Sequence, residues 1–345
     1  MCTHFEDVRA LLFRAKTLET DGKFADASEH YKRAFRTGDM DEAQRLGAQC
    51  DLGHNLIMEG RHDEALANLA EAHSTSRANC DFLLETFRAF YLEIDALYRL
   101  HEIHSSDAEP GLLRLSSLID EGLQWLNDVD KTAWSCALLF LKSRILWKLG
   151  RRDLAYELSE KALRQKEQFN CPGFADEDHA TQVVKHARLL GYRNRAFDVL
   201  ARYEHRVMSG IGRIRLLAQK VRLLLELSPP DVCAALDEAR RLPLFAQEVY
   251  RAREQLIAFG ELAVAAAAAN SQNEWRAALQ KTVDCALKDD TLDRKWLLRK
   301  SRSYVEEVSH IVDGKDMKRA KSSKRSLASL IERLDREVAC RAAPK

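Results

Sequence analysis

Two histidines three residues apart, in the run His101-Glu102-Ile103-His104, can share one face of a helix and offer a metal two imidazole nitrogens. The run is one residue short of an H-E-x-x-H pattern. No carboxylate follows at zinc-enzyme spacing, and Asp107 lies beyond it in a polar loop. A polar helix end is the expectation. His179 and His186 stand two helical turns apart, too far for one ion without a third element. Cys171 and His179 can be written as nucleophile and base, but nothing in the local sequence supports that pairing. The eight cysteines, Cys2, Cys50, Cys80, Cys136, Cys171, Cys233, Cys285 and Cys340, are never closer than 30 residues. That spacing excludes a C-x-x-C zinc or redox motif and reads as small buried hydrophobes in a reducing cytosol. There is no phosphate-cradling G-x-x-x-x-G-K-[ST], no G-x-G-x-x-G and no G-x-S-x-G. The sequence therefore nominates no catalytic residue, no metal ligand and no cofactor, and a non-enzymatic protein is expected.

The elements follow from composition. The chain has 345 residues, of which only 14 are Gly and 6 Pro. So few turn formers argue against a sandwich or barrel, which needs a turn every few residues. Hydrophobic residues make up 46% and charged residues 31%, enough apolar material for a core. The net charge of +1 excludes a polyanion-binding character for the molecule as a whole. The N-terminal run MCTHFEDVRALLF has no basic region followed by a long apolar stretch, so no secretory signal is expected. The longest run of small apolar residues, from Leu262 to Ala269, is too short to span a bilayer, and no membrane span is expected. No segment alternates cleanly with period two. Helical spacing recurs throughout, giving about fourteen helices, or seven pairs.

A repeat runs through these helices. Leu18, Gly22, Ala27 and Ala34 recur at the same steps as Leu56, Gly60, Ala65 and Ala72, and again as Leu146, Gly150, Ala155 and Ala162. Weaker copies are Ala187, Gly191, Ala196 and Tyr203, then Asn273, Ala278 and Cys285. The glycine ends one helix by taking the left-handed turn. The two small residues lie two turns apart on the next helix and let neighbours approach closely. Between the copies, 80–103 reads as one long amphipathic helix with its partner at 112–126. Pro229-Pro230 separates a helix ending near Leu227 from one starting near Asp231, with Ser228 as N-cap. Further helices are expected at about 245–270, 272–288 and 291–312.

This pattern resembles the tetratricopeptide repeat (TPR). The residues that carry the likeness are Ala15, Leu18, Gly22, Phe24, Ala27, Tyr31 and Ala34; then Leu52, Gly53, Leu56, Gly60, Ala65, Leu69 and Ala72; then Leu139, Ser143, Leu146, Gly150, Ala155 and Ala162. The closing proline of that family is absent, and Leu11, Gln49 and Leu139 replace its early tryptophan. The resemblance covers 8–78, 136–168 and 177–205, while 211–288 gives only helix pairs. It implies an all-α, right-handed superhelical solenoid of antiparallel helix pairs, in which the first helix of each pair lines a concave face. Carrying the family's inward place across, residue by residue, gives Lys16, His54, Arg144 and Lys185; the neighbouring place gives Glu19, Ile57, Trp147 and Arg188. Lys148 and Lys220 extend the set to a mainly cationic groove with one aromatic. The family's chaperone-tail carboxylate clamp is not recognisable, because Leu12 and Lys16 hold two of its places and Asp51 an asparagine place.

Charge is uneven along the chain. Residues 291–345 carry 15 basic and 8 acidic groups, while the rest carry 39 and 45. The peak is Lys315, Lys318, Arg319, Lys321, Lys324 and Arg325, followed by an apolar seam of Leu327, Leu330, Ile331, Leu334 and Val338. Two regions are therefore expected: a helical-repeat domain over 1–290, and a basic C-terminal cap or tail over 291–345. The tail reads as a cap, a docking helix, or a contact to nucleic acid phosphates or an anionic membrane. The expected function is a cytoplasmic protein–protein interaction scaffold, adaptor or regulatory subunit. It would hold a partner protein or acidic peptide in the groove, with nucleic-acid-associated regulation through the basic end as the alternative.

Overall fold

A computed structural model describes residues 7–77, 80–104, 109–169, 171–206, 209–249, 251–288, 294–313 and 327–337. Among them no strand occurs. The helices run, in chain order, α1 (Val8–Thr20), α2 (Phe24–Thr37), α3 (Glu42–Met58), α4 (His62–Arg77), α5 (Leu83–His104), α6 (Glu109–Asp128), α7 (Cys136–Lys148), α8 (Arg152–Gln168), α9 (Asp176–Leu189), α10 (Arg193–Glu204), α11 (Gly210–Leu225), α12 (Val232–Ala246), α13 (Ala252–Ala268), α14 (Gln272–Lys288) and α15 (Arg294–Asp313). A last helix, α16, spans 327–337. The fold is thus all-α, built from consecutive helix pairs. The chain divides into two compact units, residues 1–186 and 187–345, with the division inside α9.

The repeated glycines perform the expected turn. Gly22, Gly60, Gly150 and Gly191 have φ of 74°, 79°, 76° and 82°. The four-residue step from leucine to glycine is the closure of the helix end. The amide after the glycine bonds back to the leucine carbonyl: Lys23 N to Leu18 O at 2.8 Å, Arg61 N to Leu56 O at 2.8 Å and Arg151 N to Leu146 O at 2.9 Å. The fifth copy is corrected by the same bond. Ser271 N reaches Ala266 O at 2.8 Å, and Asn270, not Asn273, holds the left-handed place with φ 60°. Trp275 and Thr282 then stand where the first three copies have alanine. The α12 N-cap is likewise Asp231 rather than Ser228, its side chain accepting from the Ala234 amide.

In the first unit, the repeat alanines Ala27, Ala34, Ala65, Ala72, Ala155 and Ala162 are all at most 1% exposed. They let Tyr31, Leu69, Phe87, Ile119 and Leu138 fill one continuous core. In the second unit, α13 is apolar almost all round, with Leu256, Ala263, Val264, Ala265 and Ala266 buried, as a central helix must be. The seam of α16 joins this same core: Leu327, Leu330 and Leu334 are buried and Ile331 packs against them.

Gly260 on α13 admits the ring of buried Tyr304 from α15. A Cβ there would lie 2.3–2.6 Å from three ring carbons. Gly260→Ala should therefore lower stability by about 1–3 kcal/mol through overpacking, despite alanine's better helix propensity. A drop in the urea midpoint at unchanged slope is the expected reading; an unchanged or higher midpoint would contradict the packing described.

Candidate partner-binding face

The first helix of each pair in the first unit carries half-buried charged side chains, and most find a partner on the next first helix. On α1 and α3, Lys16 Nζ lies 2.8 Å from Glu19 Oε2 and 2.9 Å from Asp51 Oδ1. Burial works against the Lys16 charge, but Asp51 and Glu19 outweigh it and hold its pKa above the ordinary value. Asp51 also takes the guanidinium of Arg88 on α5 and the Tyr31 hydroxyl at 3.3 Å. Burial alone would raise the Asp51 pKa, yet Arg88 and Lys16 reverse the shift and hold it low.

One step along, Asp95 on α5 is 2% exposed. It accepts from Arg99 Nε at 2.8 Å and from Arg144 Nη1 of α7 at 3.0 Å. Burial opposes its charge, but Arg99 and Arg144 bring its pKa down to about 2. The Arg144 guanidinium also lies over the Tyr98 ring at 4.4 Å. The Tyr98 hydroxyl donates to Glu102 Oε1 at 3.1 Å, and Lys148 Nζ stands 3.4 Å from the same oxygen. Trp147 is half-buried and stacks on His186 of α9, rings 4.2 Å apart and 8° from parallel. Burial pushes the His186 pKa down to about 3, so this imidazole is neutral at pH 7. Lys185 is exposed on α9.

The face is therefore less cationic than the sequence implies. His54 packs edge-on to Phe24 at 6.2 Å, and burial lowers its pKa to about 4, so it is also neutral at pH 7. Glu19, Asp51, Asp95 and Glu102 balance most of the remaining positive charge. Sequence reasoning missed Arg88, Asp95, Tyr98 and Glu102 because α5 lies outside the matched repeat copies. The signal was present: Arg88, Asp95 and Glu102 fall at seven-residue steps on one helix face.

In the second unit, Arg188 reaches Gln219 Oε1 at 3.3 Å and also pairs with Glu226, next to the end of α11. On the same face Arg222 grips Glu261 of α13 and Glu307 of α15, while the Tyr304 hydroxyl donates to Glu261 at 2.8 Å. Lys300 Nζ sits 4.4 Å from the Tyr304 ring centroid, where burial lowers its pKa. Lys220 does not belong to this row. It pairs with Glu204 of α10 at 3.0 Å and Glu238 of α12 at 2.7 Å, both on second helices. The turn of α11 that carries Gln219 and Arg222 toward the first-helix row carries Lys220 away from it.

The weak chemical motifs acquire other roles. His101 packs on Gly111, and Glu102 serves Tyr98 and Lys148. Cys171 Sγ lies 2.8 Å from the Ala133 carbonyl oxygen, while His179 packs against Phe140, ring centroids 4.8 Å apart and tilted by 49°. Among the described residues, no group of three or more His, Cys, Asp or Glu side chains is placed to hold a metal. No described helix is long and apolar enough to cross a membrane. The basic residues Lys315, Lys318, Arg319, Lys321, Lys324 and Arg325 lie outside the described residues.

No protein-family model matches the sequence, and no curated protein matches it. Solved structures do. A Rap protein complexed with competence and sporulation factor aligns at TM-score 0.51 and 11% identity, covering 94% of this chain and 75% of that one. The Rap conjugation gene regulator of plasmid pLS20, complexed with the Phr* peptide, aligns at TM-score 0.50 and 12% identity, covering 89% and 76%. A thermophilic TPR protein of Thermus thermophilus aligns at TM-score 0.43 and 16% identity, covering 70% and 98%. At such identities the likeness is one of fold. The chain is a helical-repeat protein with a tetratricopeptide-like fold.

Proposed function

We propose that this chain is a non-enzymatic interaction scaffold, an adaptor or regulatory subunit. It binds a partner protein or acidic peptide against the first-helix face, through Lys16, His54, Arg144, Trp147, Lys148, Lys185 and Arg188. The observation that carries this reading is the row from Lys16 to Lys148, where half-buried charges and Trp147 sit on one side of successive first helices. Such a row offers fixed hydrogen-bond donors and one aromatic surface to an extended ligand. The solved structure of the similar Rap regulator of pLS20 contains the Phr* peptide, which supports a peptide as the ligand class here. Five described cysteines, Cys50, Cys136, Cys171, Cys233 and Cys285, are free thiols, in keeping with a reducing cytosol.

The test neutralises exposed cations whose carboxylate partners, unlike Asp95, keep a second contact or lie at the surface. Arg144 is unsuitable, because it holds Asp95. Lys16→Gln, Lys148→Gln and Lys185→Gln together should weaken capture of an acidic partner by about tenfold or more at low salt. The melting temperature should fall only slightly, because Arg88 still faces Asp51 and glutamine adds no like charge beside Glu19 or Glu102. A protein retained by wild type and lost by the triple variant supports the reading. Capture of nucleic acid alone, lost at high salt and indifferent to the variant, would overturn it.

A further inference from the structure

On the opposite side of α11 from its first-helix row, a cleft of about 220 Å³ opens between the end of α10, α11 and the second half of α12. Its floor is apolar: Leu200, Leu216 and Leu217 are at most 7% exposed, and Phe245 forms a wall. Its rim is polar and mainly basic. Arg213, Lys220, Arg241 and His205 line it, against the single lining carboxylate Glu204.

The rim is organised. Lys220 is fixed between Glu204 and Glu238 at 3.0 and 2.7 Å. Burial opposes its charge, but the two carboxylates raise its pKa, so it is a permanent cation. The Arg213 guanidinium lies 5.5 Å from the Phe245 ring centroid, which orients it along the wall. Arg241 is 48% exposed at the side chain and uses Nη1 on Glu238 at 2.5 Å and on Glu204 at 3.5 Å. Among the described residues its Nε and Nη2 donors have no hydrogen-bond acceptor. The cleft thus offers an apolar floor of three leucines beside the Phe245 wall. A two-donor guanidinium edge stands at its mouth, and such an edge matches a carboxylate in shape and charge.

We propose that this cleft binds a small amphipathic carboxylate, its alkyl or aromatic body on the leucine floor and its carboxylate on Arg241 and Arg213. The site is independent of the partner-binding reading and shares no residue with it. Such a ligand would give the scaffold a small-molecule input at α10–α12.

The test is a ligand-observed NMR titration of the full chain with 3-phenylpropionate and with its neutral isostere 3-phenylpropanamide. Wild type should bind the carboxylate about tenfold more tightly than the amide. Arg241→Gln should weaken carboxylate binding about fivefold or more and leave the amide unchanged. Arg9→Gln, which removes the same charge from exposed α1, should change neither. Equal affinity for carboxylate and amide would overturn the proposal. So would equal effects of the two arginine variants, or no binding of either probe at about 10 mM. The comparison of the two probes on wild type stands even if a variant folds poorly.

Discussion

Asp95→Ala should cost the first unit about 3–5 kcal/mol, the range for removing one partner of a buried ion pair. Asp95 is 2% exposed and lies between Arg99 and Arg144. Its loss leaves two guanidinium groups in a low-dielectric site with no carboxylate between them. The folded pKa of Asp95 is depressed from 3.8 to about 2 by those arginines. A depressed carboxylate contributes stability above its unfolded pKa and loses it as the pH falls from about 4 through about 2. The cost of Asp95→Ala should therefore be the same at pH 7 and pH 5, measured by urea unfolding followed at Trp147 or Trp134. Asp95→Asn should cost less, because the amide oxygen still accepts one hydrogen bond. A cost near zero for Asp95→Ala would show that the row on α5 and α7 is a loose surface array and not the built face described.

Truncation after Asp313 should be as damaging to the second unit. It removes α16, whose Leu327, Leu330 and Leu334 are each at most 6% exposed and belong to the core with Leu297, Tyr304 and Val308. Burying a leucine side chain is worth about 1.5–3 kcal/mol, so three of them contribute roughly 4.5–9 kcal/mol as an upper bound. We propose from this that the C-terminal region caps the array, covering an apolar end that would otherwise face water. Hydrogen exchange should speed up across α13 and α15 in the truncated chain while α3 and α7 keep their protection. Unchanged exchange in α13 would contradict the cap.

The helix-pair architecture was legible because its turns are chemical. A glycine four residues after a leucine is the geometry of one helix closure, and the alanines beyond it mark close helix contacts. The same logic failed at the fifth copy because Asn270 replaces the glycine, and asparagine tolerates the left-handed conformation without announcing it. The α11–α12 pair carries no such closure, and its inward residues were read one place out at Lys220. The face itself was half legible. Its cations could be placed by repeat register, but many of their carboxylate partners sit on α5, where register is lost. Burial, which neutralises His54 and His186, depends on neighbours that no local pattern names.

The first-helix face of residues 1–186 is the proposed seat of a peptide segment. Selection of a randomised dodecapeptide library on the full chain, followed by the equilibrium affinity of an enriched peptide, tests it most directly. Enriched peptides should carry acidic residues and lose about tenfold or more in affinity to Lys16→Gln/Lys148→Gln/Lys185→Gln at a nearly unchanged melting temperature. No enrichment, or a peptide that binds wild type and the triple variant equally well, would contradict it.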